Sequence, residues 1–349
     1  MVDFKTRFNK TILTGLHYSG LDRLCAPLTK GRGIIFTLHQ VGDNPTHDFA
    51  PNAILKVTPE FLEQTINTVR RQNYDIISLD EMKSRLTNPE PSRPFAVFTF
   101  DDGYKDNRDI ALKIFEKQNC PLAIFIVSDY SAHKGEMWWL ALEDIIQNNQ
   151  LIKDPFDPSL VHKAETTQQK HKTYEHIYWQ LRFMDQSEQR RQVKAFAASH
   201  DYDINALTKT LILSWEELRE LNQNPLVTLG AHTKSHYALG LLNKEEALKE
   251  VKAGIEVMQQ ELGETPKHFA YPYGDTRSAT EKDFEILKDL GLETALTTSK
   301  GLIYPAHQNH LTALPRVSLN GNYQHQRYVK SFLSGLPFTL ANKGRRINI

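Results

Sequence analysis

The chain has 349 residues, enough for one large α/β domain with insertions or for two smaller domains, and core size limits neither. Its 42 lysines and arginines are matched by 42 acids, so no global charge directs it to nucleic acid. Cys25 and Cys120 are its only cysteines, too few for a disulfide framework or a thiolate metal site, and no apolar run reaches the ~18 residues that span a bilayer.

The N-terminus carries no apolar run followed by a small-residue cleavage site, which gives a cytoplasmic expectation. Within residues 1–33, Lys5, Arg7, Lys10, Arg23, Lys30 and Arg32 stand against Asp3 and Asp22. Phe8, Ile12, Leu13, Leu16, Leu21 and Leu24 recur at helical spacing. This N-terminal amphipathic segment is either a helix capping the domain or a basic helix making peripheral contact with the inner membrane.

Ile34 to Leu38 is the first strand, opened by Gly31 and Gly33 and closed by His39. Thr58 before Pro59 starts a helix running to Gln72, with the cap hydroxyl ahead of a proline whose missing N–H costs nothing in the first turn. Asp75 to Leu79 is a second strand, and Ser78 with Glu81 has capping-box spacing for the next helix. Pro89, Pro91 and Pro94 then break the pattern.

Phe95 to Phe100 reads as a strand covered on both faces, ending in Asp101, Asp102 and Gly103. Taken alone, the acid pair is a solvated turn; a functional reading needs partners elsewhere. A helix from Asn107 to Gln118 leads to the strand Pro121–Val127. Residues 131–213 then turn polar and helix-prone, a helical insertion carrying Trp138, Trp139, Tyr174, Tyr178 and Trp179. These rings could form platforms for a sugar. Adjacent tryptophans on a helix point about 100° apart, however, so at least one belongs to the core.

Ser214 with Glu217 repeats the capping box, and the strand Leu226–Leu229 leads through Gly230 and Ala231 to His232 and His236. Asn243 opens a helix to Leu262. The strand beginning at His268 runs into Pro272-Tyr273-Gly274, a helix covers residues 281–290, and residues 293–298 and 314–319 supply two more strands. That makes about eight strands alternating with helices, with His39, Asp101, Asp102, His232, Tyr273 and Arg316 at strand exits. This is the pattern of a parallel (β/α) barrel, whose site is built at the C-terminal strand ends. A doubly wound sheet offers fewer converging ends. Residues 34–130 and 214–320 form the barrel, interrupted by the 131–213 insertion, and 321–349 a C-terminal helix and basic tail with Arg345 and Arg346.

On a helical turn His232 and His236 would face one way and chelate an ion, and two imidazoles with one carboxylate leave a divalent ion open positions for water. The same donor set serves non-haem iron oxygenases, so that reading stays beside the hydrolytic one. Isolated His47, His133, His162, His171 and His200 read as solvated or structural.

Thr99-Phe100-Asp101-Asp102-Gly103 and His232-Thr233-Lys234-Ser235-His236 resemble the first two motifs of the polysaccharide deacetylases, the NodB-homology group of carbohydrate esterase family 4. Ala270-Tyr271-Pro272-Tyr273-Gly274 resembles a variant of the third, and the likeness spans residues 34–320 outside the insertion. It implies a distorted (β/α) barrel that removes the N-acetyl group of an amino sugar with a divalent metal, zinc in the first place. By that resemblance Asp102, His232 and His236 are metal ligands, Asp101 is the general base and the Tyr273 backbone N–H serves the oxyanion.

Two positions depart from the family. Ala270 stands where arginine is usual, and Leu314-Pro315-Arg316 puts arginine where the last motif has histidine. Arg316 is therefore expected to replace the missing arginine, orienting Asp101 and holding down its pKa. His39 is expected to be the general acid, by resemblance to the poly-N-acetylglucosamine deacetylases, with His310 as rival. The implied partner is an N-acetylated glycan or glycolipid, a lipid-linked precursor at the inner leaflet included. A small cyclic amide or imide substrate, or a glycan-binding role without turnover, are the alternatives.

Overall fold

The computed structural model describes residues 4–88, 93–157 and 159–347; Asp3, Pro89 and Pro91 of the sequence reading lie outside them. Seven parallel strands close into a barrel: β1 (Gly33–Leu38), β2 (Phe95–Phe100), β3 (Leu122–Ile126), β4 (Val227–Ala231), β5 (His268–Ala270), β6 (Thr294–Lys300) and β7 (Leu314–Ser318). Each strand pairs with the next in sequence, and β7 returns to β1 through Phe36↔Val317 and Thr37↔Ser318. The barrel is uneven, since β4 and β5 share only Phe269↔Ala231 and the β6–β7 register shifts between Leu296 and Lys300.

The eighth strand of the sequence reading does not enter the barrel. Asp75–Ile76 pairs with the start of β2, where β3 engages only Thr99 and Phe100, and Ser78 then caps the following helix through a complete capping box. The sequence showed that this segment is extended. Whether it joins the closed ring depends on which edge of β2 remains open, which is decided at long range.

Side chains alternate across each strand, and this period of two sorts the molecule into layers. Ile35, Phe95, Val97, Ala123, Phe125, Ala270, Leu296 and Leu314 fill the barrel interior. Their neighbours, such as Ile34, Phe36, Phe98, Ile124 and Phe269, pack outward against the helices. Gly230 is part of this fit, because a Cβ there would stand 2.5 Å from the Phe125 ring. Along β1 the interior parity reads Ile35, Thr37, His39, along β2 Val97, Thr99, Asp101, and along β7 Leu314, Arg316. The barrel is apolar at its base and polar at its exit.

The first helices are α1 (Phe4–Tyr18) and α2 (Leu21–Thr29). α1 buries Leu13, and α2 is tied through the Thr29 hydroxyl to the Ser334 carbonyl at 2.7 Å. Residues 107–118 are π-helical over Asn107–Leu112 before becoming α-helical over Lys113–Lys117. The insertion has its own apolar core, built from Trp138, Trp139, Ile145, Tyr174, Ile177 and Phe196 among others. Its helices are α3 (Trp138–Asn148), α4 (Thr167–Arg182) and α5 (Gln186–Ala198), and it contains a short antiparallel hairpin, Leu151–Lys153 with Val161–Lys163, that the sequence reading did not anticipate. α6 (Lys244–Leu262) starts at the Asn243 capping box, and the C-terminal segment forms two helices, Gln326–Ser334 and Leu336–Ala341.

Candidate active site

The interior parity of β2 and β7 points Asp101 and Arg316 at each other across 215 residues of sequence. Arg316 donates from Nη1 to Asp101 Oδ1 at 2.7 Å and from Nη2 to Oδ2 at 2.8 Å, a two-pronged pairing that fixes the carboxylate plane. Its Nε donates to the Thr297 carbonyl at 2.9 Å, so the guanidinium is itself held. Thr37, one step below His39, donates to Asp101 Oδ2 at 3.3 Å. Burial pushes the Asp101 carboxyl up, but the Arg316 charge, then His232 and the Arg316 hydrogen bonds, outweigh it and bring it to about 2.

Asp102 would follow the strand outward, but its φ of +75° swings it over the barrel mouth. His232 and His236 meet it there, with Nε2 atoms 3.7 and 3.4 Å from Asp102 Oδ1. The two imidazoles do not lie on a helical turn, as their spacing suggested. They flank a loop in which Thr233 and His236 take φ of +63° and +60°, closed by a hydrogen bond from the His236 N–H to Thr233 Oγ1 at 2.9 Å. Tyr273, at +60°, is a further left-handed residue of this centre. Such conformations cost of order 1–3 kcal/mol each and persist only where the surroundings impose them, which is common at functional sites.

The donor set fits a divalent cation. His232 Nδ1 lies 2.7 Å from the Ala270 carbonyl; this bond requires Nδ1 to carry the proton and leaves the Nε2 lone pair facing Asp102. Asp102 Oδ1 is buried with no hydrogen-bond partner among the described residues. Burial brings His232 to about 4, and burial followed by the His232 charge takes His236 well below its ordinary value, so both imidazoles are neutral at pH 7 as ligation requires. Asp102 is raised by burial and then by Asp101, a position that a cation at these three atoms would reverse.

His39 stands at the β1 exit, close enough for the Asp101 and Arg316 charges to act on it; burial lowers its pKa first. Its carbonyl accepts a 2.7 Å hydrogen bond from Asn107 Nδ2, so the π-helical segment positions the strand exit. His310 is exposed in the segment that precedes β7, at the opposite strand ends from His39. The Tyr273 backbone N–H donates to no protein acceptor among the described residues, and its carbonyl accepts from Thr298 Oγ1 at 2.7 Å. Among the isolated histidines, His133, His162 and His200 hydrogen-bond to Thr208, Asp154 and Phe196, His171 packs on Phe49, and His47 is exposed.

The insertion brings to the site the Trp138–Trp139 pair, named from the sequence, and two arginines, Arg182 and Arg190, that the sequence did not single out. Trp139 lies 5.0 Å from the His236 ring, and Trp138 Nε1 donates to the Tyr273 hydroxyl at 2.9 Å; both tryptophans are buried. Arg190 reaches from α5 to the Ser235 carbonyl, inside the histidine loop. Arg182 donates to Asp275 and Ser278 at 2.6 Å and stacks 3.7 Å over the Tyr273 ring. The only sequence signal was two arginines on helices rich in other polar residues, which does not separate a clamp from a solvated face.

The sequence profile of the family described as Polysaccharide deacetylase matches residues 88–295, more than half of the chain. The chain belongs to the polysaccharide deacetylase family. It is thus an enzyme, a hydrolase of the deacetylase class, rather than an oxygenase or a binding protein without turnover. Polysaccharide deacetylases also appear among similar solved structures. A Streptococcus pyogenes deacetylase, PplD, in complex with acetate aligns at 15% identity over 86% of this chain and 97% of its own, with a TM-score of 0.57. IcaB from Ammonifex degensii aligns at 15% identity over 87% and 97%, with a TM-score of 0.54. A de-N-acetylase from Aggregatibacter actinomycetemcomitans aligns at 14% over 86% and 99%, with a TM-score of 0.53. At this identity they establish the shared fold. No curated protein is similar enough to match the chain.

Proposed function

We propose that the protein removes the N-acetyl group from an amino sugar of a surface polysaccharide or its lipid-linked precursor, giving acetate and a free amine. The observation that carries this reading is an ionised carboxylate, Asp101, clamped by Arg316 beside the buried set Asp102, His232 and His236. These three would hold a divalent ion, zinc by preference, which supplies Lewis acidity toward water and the acetyl carbonyl. Asp101, fixed by Arg316 and Thr37, takes the proton of the attacking water. The Tyr273 N–H donates to the oxyanion as the carbonyl becomes tetrahedral. His39, which burial favours in the neutral form beforehand, takes up a proton as negative charge develops beside it and gives that proton to the departing amine.

Purified protein should release acetate from N-acetylglucosamine oligomers, lose that activity on chelation and regain it with zinc. Asp101→Asn should lower turnover at least 1000-fold with metal content unchanged. Glycans and lipid-linked precursors from cells carrying Asp101→Asn should retain one extra acetyl group on a defined sugar. Hydrolysis of a small cyclic imide with no glycan difference would overturn the substrate half of the proposal. Retained turnover in His39→Ala together with its loss in His310→Ala would overturn the choice of acid.

The placement proposed for the enzyme is cytoplasmic, peripheral at the inner membrane. Among the described residues no helix is long and apolar enough to cross a bilayer. Tyr18, Leu21, Leu24 and Leu28, on and just before α2, are exposed by 74%, 44%, 76% and 77%, and Arg23 is exposed beside them. Apolar side chains beside a basic one suit an anionic lipid surface. The protein should sediment at low salt with vesicles containing phosphatidylglycerol, and the Leu24→Glu/Leu28→Glu variant should not. Failure of the unaltered protein to sediment would remove the membrane from the proposal.

A further inference from the structure

An open cleft of about 660 Å³ lies between the insertion and the loops that follow β1 and β7 at the barrel exit, within the size range of small-ligand pockets. One wall is a face of α4, where Glu175 and Trp179 stand one turn apart and both are exposed. The other is formed by Asp48, in the loop after β1, and Asn322, after β7. Trp138 and Trp139 are buried, whereas the Trp179 indole is 57% exposed. Its orientation is set in advance, because the ring stacks on Phe183 at 5.9 Å and 15° and meets Tyr178 edge-on at 5.1 Å. Arg277 in turn lies 4.8 Å over Phe183.

A rigid aromatic face with carboxylates and an amide around it suits a saccharide, whose ring offers an apolar C–H face and a rim of hydroxyls. It suits a lipid chain poorly, since Asp48 and Glu175 would lose water without gaining a partner. The cleft is also coupled to the reaction centre through packed rings. Tyr178 lies 5.1 Å from Trp138, Trp138 is hydrogen-bonded to the Tyr273 hydroxyl, and the Tyr273 ring is 4.8 Å from His236.

We propose that this cleft is a second sugar-binding subsite, built by the insertion, that takes a glycan residue near the one being deacetylated. It rests on the deacetylase reading above and adds that the enzyme recognises an oligosaccharide, with Trp179 as the stacking platform and Asp48, Glu175 and Asn322 as hydroxyl partners.

The test uses the full chain, loaded with zinc, and β-1,4- and β-1,6-linked N-acetylglucosamine oligomers of one to six units. Acetate release should rise with length, chiefly through KM. Trp179→Ala should raise KM for the long oligomers about tenfold, the loss of ~1.4 kcal/mol of binding, while leaving hydrolysis of 4-nitrophenyl acetate unchanged. Trp179→Phe should restore most of the difference. Binding of the hexamer to the Asp101→Asn protein, followed calorimetrically, separates the two claims. Tight binding that depends on Trp179 without any turnover of the unaltered enzyme would support the subsite and overturn the deacetylase reading. Turnover with no length dependence, an equal effect of Trp179→Ala on every substrate, or no binding of any oligomer would overturn the subsite.

Discussion

By the motif resemblance, histidine is usual at position 316 and arginine at position 270; in this chain Arg316 makes the two-pronged pairing with Asp101. The guanidinium reaches Asp101 from β7, and the backbone carbonyl of Ala270, which any residue there would supply, fixes the His232 tautomer. Lysine cannot reproduce two parallel hydrogen bonds, so Arg316→Lys should fold and lose roughly 100-fold in kcat/KM. Arg316→Met leaves a buried carboxylate without its charged partner and should destabilise the protein by about 3–5 kcal/mol in urea denaturation. A stable, fully active Arg316→Met protein would remove Arg316 from its positioning role. The acid and the arginine were both legible as residues. Their contact was expected only through the family resemblance, with arginine absent at 270 and present at 316, because no local signal joins positions 101 and 316.

At the scale of elements, α6 shows a packing constraint overriding helix propensity. Gly254 sits in the interior of this helix, where alanine would ordinarily stabilise by roughly 0.5–1 kcal/mol. Here an added Cβ would stand 2.7 Å from the Thr233 carbonyl carbon and 2.8 Å from the Lys234 nitrogen, both backbone atoms of the histidine loop. Overpacking should win, so Gly254→Ala should lose about 1–3 kcal/mol and retain less of an added divalent metal after dialysis; a raised melting temperature would show that the loop yields freely. The start of α6, and those of the helices capped by Ser78 and Ser214, were readable because capping is local chemistry. The insertion's hairpin was not readable, since its strands are three residues long and one face is exposed.

Closure of the barrel ties distant segments into one stability. His307, between β6 and β7, is buried, and its Nδ1 accepts a hydrogen bond from the Tyr304 N–H at 3.0 Å. Burial brings it to about 4 despite the Tyr304 carbonyl nearby. Because this folded-state value lies below the ~6.5 of an unfolded histidine, its contribution to stability is complete above pH ~6.5, declines as pH falls, and is lost through about 4. Urea denaturation between pH 7.5 and 4.5 should show this decline, and His307→Gln, which keeps an acceptor but does not titrate, should flatten it by about 1–3 kcal/mol. Parallel slopes for the two proteins would remove His307 from the acid response.

By itself the sequence determined the alternation of buried strands and capped helices, the acid pair ending β2 and the histidine pair after β4, because hydrophobic period, capping and turn chemistry act over a few residues. It also determined the interior parity that puts Thr37, Thr99 and Arg316 on the Asp101 side, although only the tertiary structure made that parity visible as a network. Tertiary structure alone decided that Asp75–Ile76 stays outside the ring, that the histidine loop is left-handed, and that Arg182, Arg190 and Trp139 of the insertion pack around the catalytic loops. These outcomes depend on contacts between segments far apart in sequence, which form when the ring closes and the insertion docks over its mouth.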